Sequence, residues 1–213
     1  MYSNNRQAQK RTKIEGESMR NDIILAGVGG QGILSIAASI GYAAIETGLS
    51  LKQSEVHGMS QRGGDVSSHL RISDKEIFSD LIPQGSANMI ISVEPMESLR
   101  YIPWLASEGW LITNTVPYVN ITNYPDIKDI MKEIEAFGNH IALDAEDIAR
   151  KLGSARSANM VMLGAASPFI DIPYEKFEKG IRDLFGRKGE DVVSLNLKAL
   201  KAGREFTETH KGL

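Results

Sequence analysis

The chain of 213 residues contains no cysteine. That absence excludes disulfides, a thiolate nucleophile, zinc–thiolate sites and cysteine-held iron–sulfur clusters within this chain. It also fits a cytoplasmic protein, where disulfides are rare. Histidine is scarce: His57 and His69 lie 12 apart, a spacing that matches no common metal site, and His140 and His210 stand apart from both. No metal site is expected. Basic excess is lacking too. A net charge of −3 gives no electrostatic case for nucleic acid or an anionic membrane surface. No apolar run approaches the roughly 20 residues of a membrane-spanning helix, so no membrane partner is expected.

What is present is ordinary globular material, 42% hydrophobic and 24% charged, at a length that suits one α/β domain. Residues 1–20 are polar and mixed in charge, with Arg6, Lys10, Arg11 and Lys13 against Glu15 and Glu17. They lack the apolar segment of a secretory signal and are expected to be a disordered or non-native tail, with Met19 a plausible initiator. The domain is expected over 21–206, followed by a short tail, 207–213.

Apolar patterning sets the order of elements. Ile23 to Val28 reads as a buried strand. The helix expected from Gln31 to Glu46 puts Ile33, Ile36, Ala37, Ile40 and Ala44 on one face, with Gly48 placed to end it. Leu49 to Val56 suits a second strand. Val66, Ser68, Leu70 and Ile72 alternate with Ser67, His69 and Arg71, the pattern of a third. Glu76 to Leu81 is expected to pair with that strand through the Ser73-Asp74-Lys75 turn, as a hairpin insert. Strands are then expected at Ala87–Val93, Trp110–Asn114 and His140–Asp144. Helices are expected at Pro95–Leu105, Asp126–Phe137, Ala145–Leu152, Ser157–Phe169, Tyr174–Phe185 and Gly189–Phe206. The expected fold is three-layer α/β/α with a Rossmann-like, mainly parallel sheet, a β-hairpin insert and a helical C-terminal third.

Two glycine-rich motifs carry the chemistry. In NDIILAGVGGQG, from Asn21 to Gly32, Gly27, Gly29 and Gly32 give the spacing G-x-G-x-x-G, with Gly30 and Gln31 between. A strand running through such a turn into a helix can present backbone N–H groups and the helix dipole to an anion. Tight strand–helix packing would select the same glycines without a ligand. For NAD or FAD an acidic residue should end the second strand about 20 residues on. Glu55 lies 23 past Gly32 and opens a glycine-rich loop, which weakens the reading of an independent NAD- or FAD-binding oxidoreductase. No Gly-Lys-Ser/Thr follows, so a Walker loop is excluded. The second motif, SEVHGMSQRGG from Ser54 to Gly64, sets Glu55, His57, Gln61 and Arg62 among Gly58, Gly63 and Gly64. Such a loop suits a contact surface; the alternative is a solvated loop with a Glu55–Arg62 pair.

Taken in order, GVGGQG, EVHGMSQRGG, SSHLRIS and SVEP resemble the gamma-type subunits of 2-oxoacid:ferredoxin oxidoreductases, the indolepyruvate branch most closely. The resemblance covers about Asn21 to Phe206. It implies a non-redox subunit with no catalytic residue of its own. Thiamine diphosphate, Mg²⁺ and iron–sulfur clusters are expected on a large catalytic partner subunit, which also passes electrons to ferredoxin and an acyl group to coenzyme A. Coenzyme A is the one cofactor this chain is expected to contact. On this reading Gly27, Gly29, Gly30, Gln31 and Gly32 form a ligand or anion site. Glu55, His57, Gln61, Arg62, Gly63 and Gly64 form a loop at the subunit interface, beside the active site.

Overall fold

Successive side chains of a strand point to opposite faces, so a strand apolar at every position must be covered on both sides. The first strand, β1 (Arg20–Val28), meets that condition from Ile23 onward. Ile23 and Leu25 enter one core, Ile24 and Ala26 the other. The structure, a computed structural model, describes residues 18–58 and 63–210. Residues 1–17 of the expected N-terminal tail, 211–213 of the expected C-terminal tail, and Gln61 and Arg62 of the second motif lie outside the described residues.

From β1 the chain enters α1 (Ile33–Glu46), then β2 (Ser50–His57), β3 (Asp65–Ser73) and β4 (Ala87–Ser92). Next come α2 (Pro95–Arg100), β5 (Leu105–Asn114), α3 (Ile127–Glu135), β6 (His140–Leu143) and α4 (Ala145–Lys151). The chain closes with α5 (Ala158–Ala166), α6 (Tyr174–Phe185) and α7 (Glu190–His210). The six strands lie in the order β2-β3-β1-β4-β5-β6. β4 runs parallel to β1, β5 to β4 and β6 to β5, whereas β3 is antiparallel to both β1 and β2. α1, α4, α5, α6 and α7 cover one face, and α2 and α3 the other. No described helix is long and apolar enough to cross a membrane.

The three-layer α/β architecture is as expected, but the sheet is mixed and the hairpin has a different partner. β3 pairs with β2 across the second motif, and residues 76–81 form no strand. β1 already occupies the other edge of β3, leaving residues 76–81 nothing to pair with. Side chains hold that segment instead. Arg71 donates to the carbonyls of Ser79 and Leu81, both at 2.9 Å, and His69 Nδ1 accepts the N–H of Ile82. The Arg71 guanidinium also binds buried Asp22 through two nitrogens, at 2.8 and 3.2 Å.

Helix ends differ from expectation by a turn or less in most cases. α1 begins at Ile33, because Gly32 at φ +84° takes the cap position. Helix α2 stops before Pro103, and a short 3-10 turn over Ile102–Trp104 completes the segment. Helix α7 runs on to His210, past the expected end at Phe206. Thr207 is fully buried there, and its hydroxyl donates to Ala165 O at 2.9 Å.

Candidate functional site

The first motif forms the turn between β1 and α1, and its residues divide by role. Gly27 packs: a Cβ there would lie 2.3 Å from Val93 Cγ2, so β1 approaches the end of β4 closely. Gly29 donates its N–H to Gly64 O at 2.9 Å, which joins the first motif directly to the second. Gln31 staples two strands: Oε1 accepts the N–H of Val28 at 2.8 Å, and Nε2 donates to Val93 O at 3.3 Å. Gly32 needs its glycine twice over, since φ is +84° and a Cβ would lie 2.5 Å from Asn159 Nδ2.

The helix start itself remains open. Gly32 provides no side-chain cap, and α1 has no acidic residue in its first turn. Among the described residues no protein acceptor takes the N–H of Gly30, Gly32, Ile33 or Leu34. Orphan donors and the positive end of the helix dipole therefore meet at this point. Of these donors Gly30 and Gly32 face a cavity of about 510 Å³ outside the carboxyl ends of β1, β4 and β5. Gly30, Gly32, Val93, Asn114, Arg156 and Asn159 line it. β1 sends its helix to one face of the sheet and β4 sends α2 to the other, so the cavity sits where the connections diverge. That is the general ligand position in open α/β sheets.

The polar floor of the cavity is held by bonds within the protein. Asn159 Nδ2 donates to Gly32 O at 3.2 Å, and its Oδ1 accepts the N–H of Met160. Asn114 donates to Val93 O at 3.3 Å and accepts the N–H of Ala145 at 3.1 Å, tying β4 to the start of α4. Arg156 stands exposed at the mouth, and among the described residues no carboxylate pairs with it. Glu146, also on the wall, lies 3.8 Å from Arg150. The arrangement can bind an anionic group by N–H donors from one side and a guanidinium from the other.

The described residues of the second motif, 54–58 and 63–64, are not among those lining this cavity. Glu55 and His57, two apart on β2, share a face, and the imidazole meets the carboxylate. β3 lies between β2 and β1, so Glu55 is displaced by a whole strand from the place where a dinucleotide's ribose would need it. Gly58 donates to Asp65 O at 2.8 Å, and Gly63 O accepts from the Asn120 side chain. Asn120 belongs to a long segment between β5 and α3 that lies against the second motif.

The model of the family described as pyruvate ferredoxin/flavodoxin oxidoreductase matches residues 22–206. The chain belongs to this family. Among relatives of this family member is the indolepyruvate oxidoreductase subunit IorB of Archaeoglobus fulgidus, 38% identical over 194 residues, covering 87% of this chain and 94% of that one. The gamma subunit of a keto/oxoacid ferredoxin oxidoreductase from Geobacter sulfurreducens has the same fold. It aligns at a TM-score of 0.64 and 26% identity, over 89% of this chain and 97% of that one. A 2-oxoglutarate:ferredoxin oxidoreductase from Magnetococcus marinus, solved with 2-oxoglutarate, coenzyme A and succinyl-CoA bound, aligns at a TM-score of 0.72 and 23% identity. That match covers 91% of this chain but 32% of the other, so the fold recurs there as about a third of a longer polypeptide.

For this family member, reading along the sequence located Gly30, Gln31 and Gly32 at the cavity and missed Asn114, Arg156 and Asn159. Asn159 reaches Gly32 across 127 positions of sequence. The only local sign of Arg156 was its place in the Gly153–Ser157 turn ahead of α5, a pattern shared by many helix starts.

Proposed function

We propose that the chain is the small, non-redox subunit of a 2-oxoacid:ferredoxin oxidoreductase acting on indolepyruvate or a related arylpyruvate, and that its cavity receives the diphosphate part of coenzyme A. One observation carries this reading. The uncapped start of α1, with Gly30 and Gly32, opens into a cavity whose mouth holds the Arg156 guanidinium, which pairs with no carboxylate among the described residues. A diphosphate suits that donor set, because N–H groups and a planar guanidinium both bind phosphate oxygens. Gly27 and Gly29 serve that site indirectly, by packing and by bracing the turn. When bound, coenzyme A supplies the thiol that accepts the acyl group, while the residues here hold and orient its anionic part.

The chain has no cysteine to hold an iron–sulfur cluster and no Gly-Asp-Gly segment to hold thiamine diphosphate through Mg²⁺. We place them on the large partner subunit, which reduces ferredoxin, and place the complex in the cytoplasm. Recurrence of the fold within a chain about three times as long supports life beside a larger polypeptide. The second motif is the docking loop: Glu55, His57, Gln61, Arg62, Gly63 and Gly64 meet the partner near its active site. Arg62 is its anchor, since arginine is prominent among interface residues whose loss is costly.

The test is anaerobic reduction of a viologen dye by indolepyruvate and coenzyme A, with this chain alone and with its partner. The chain alone is expected to be silent and the complex active. Arg156→Ala should raise the KM for coenzyme A about tenfold, the loss of one charge-assisted contact. Arg62→Ala should weaken assembly while the chain stays folded. Turnover without the partner, or micromolar binding of NAD(H) or flavin by the chain, would overturn the proposal.

A further inference from the structure

Glu94, two residues past the end of β4, is a fully buried carboxylate that is not among the residues lining the cavity. One oxygen, Oε2, accepts the N–H of Glu97 at 2.7 Å and caps α2. The other accepts the N–H of Tyr118 at 3.2 Å and the hydroxyl of Tyr124. Both tyrosines belong to the segment between β5 and α3. Residues 116–125 of that segment make no backbone–backbone hydrogen bond among the described residues. Tyr118, Val119 and Ile121 are exposed, while Tyr124 packs, partly buried, against the core beneath α2 and α3. Among the segment's polar anchors Glu94 is the hub, since it takes both tyrosines. Burial, followed by the bond to Glu94, raises the Tyr124 pKa, so the hydroxyl remains a donor throughout the physiological range.

The far end of the same segment reaches the motifs. Asn120 donates to Gly63 O, and the next carbonyl, Gly64 O, receives the N–H of Gly29. Immediately before Glu94, Val93 lines the cavity, and its carbonyl receives both Gln31 and Asn114. Hydrogen bonds joined by short stretches of chain thus run from a buried acid, through the loop after β5, to the glycine turn at the cavity.

We propose that Glu94 is a positioning residue: through Tyr118, Tyr124 and Asn120 it braces Gly63 and Gly64 against Gly29, and so sets the shape of the turn that receives the ligand. The consequence for coenzyme A rests on the function proposed above; the bracing of Gly29 does not. Glu94 itself is too buried for a clean deletion, so the test uses Tyr124→Phe and Asn120→Ala. Each removes one link and leaves both cores intact.

Amide hydrogen exchange of the full chain, without ligand, reads the bracing. The Gly29 N–H should exchange about tenfold faster in either variant, a loss the size of one charge-assisted or short hydrogen bond. Amides in the centre of β1, such as Leu25, should keep their wild-type rates. The double variant should be little faster than either single one, because the two links act in series. In the reconstituted complex, the KM for coenzyme A should rise several-fold with kcat unchanged. Wild-type exchange at Gly29 in both variants would overturn the proposal, as would acceleration at Gly29 matched by equal acceleration at Leu25. A wild-type chain whose Gly30 and Gly32 amides ignore saturating coenzyme A overturns the ligand reading instead, while exchange at Gly29 still decides the role of Glu94.

Discussion

Replacing Gly32 by alanine tests the geometry of the glycine turn at its tightest point. Two costs arise there from different causes. The backbone sits at φ +84°, a left-handed conformation that costs a residue with a Cβ about 1–2 kcal/mol. The new Cβ would also lie 2.5 Å from Asn159 Nδ2, so Asn159 must move. Asn159 is 9% exposed and has little room. Its displacement breaks the bond to Gly32 O and strains the one to Met160, a further loss of about 1–2 kcal/mol. The sum is about 2–4 kcal/mol, which for a domain of this size lowers Tm by roughly 5–12 °C.

The assay is thermal unfolding of Gly32→Ala beside Gly186→Ala. Gly186 has helical backbone angles and open space where its Cβ would go, so the same substitution there should be neutral or stabilise by up to about 1 kcal/mol. A cycle with Asn159→Ala separates the two costs. The clash should appear as a coupling of about 1–2 kcal/mol between the sites, and the backbone cost should persist. A Gly32→Ala chain that melts with the wild type, or a cycle that is additive, would refute the reasoning.

Three other outcomes follow from the same kind of accounting. Helices α5 and α7 cross at Gly164 and Gly203, where an added Cβ would lie 2.0 Å from Leu200 O and 1.9 Å from Val161 O; Gly203→Ala should therefore cost about 1–3 kcal/mol in urea unfolding, despite alanine's better helix propensity. Arg71→Met strands the buried carboxylate of Asp22 with only the half-exposed Arg20 and frees the Ser79 and Leu81 carbonyls. It should cost about 3–5 kcal/mol and open residues 76–82 to limited proteolysis, whereas an uncut, equally stable variant would show that Arg71 is no pin. Burial first, aided by Arg71 and opposed by Asp80, lowers the His69 pKa below 6.5, so the folded chain keeps the ring neutral while the unfolded chain takes up the proton. Stability from this group is complete above about pH 6.5 and declines as pH falls from there toward the folded value; the urea midpoint of His69→Gln should lose part of the wild-type fall between about pH 7.5 and 5.5, and an unaltered fall would remove His69 from the account.

Local chemistry in the sequence was enough for the β1–α1 turn, for α6 to the residue, and for the two-sided burial of β1 and β4. Those features depend on neighbours a few positions away: glycines that permit a turn, apolar residues at helical or strand period, a proline ahead of α6. The family resemblance was legible for a related reason, since GVGGQG and EVHGMSQRGG are contiguous words. Strand pairing was not. Residues 76–81 read well enough as a strand, but whether a segment enters a sheet depends on which edge is free, and β1 had already taken that edge of β3. The cavity was half legible. Gly30 and Gly32 announce themselves, whereas Asn114, Arg156 and Asn159 arrive from the ends of β5, the turn before α5 and α5 itself. Glu94 read only as the acid of SVEP, and its part in bracing the glycine turn exists only because the loop after β5 folds back over α2 to present Tyr118 and Tyr124 to it. Short-range pattern decides what each segment can be; which segments meet is settled by competition for shared edges and buried polar partners across the whole chain, and only the folded structure resolves it.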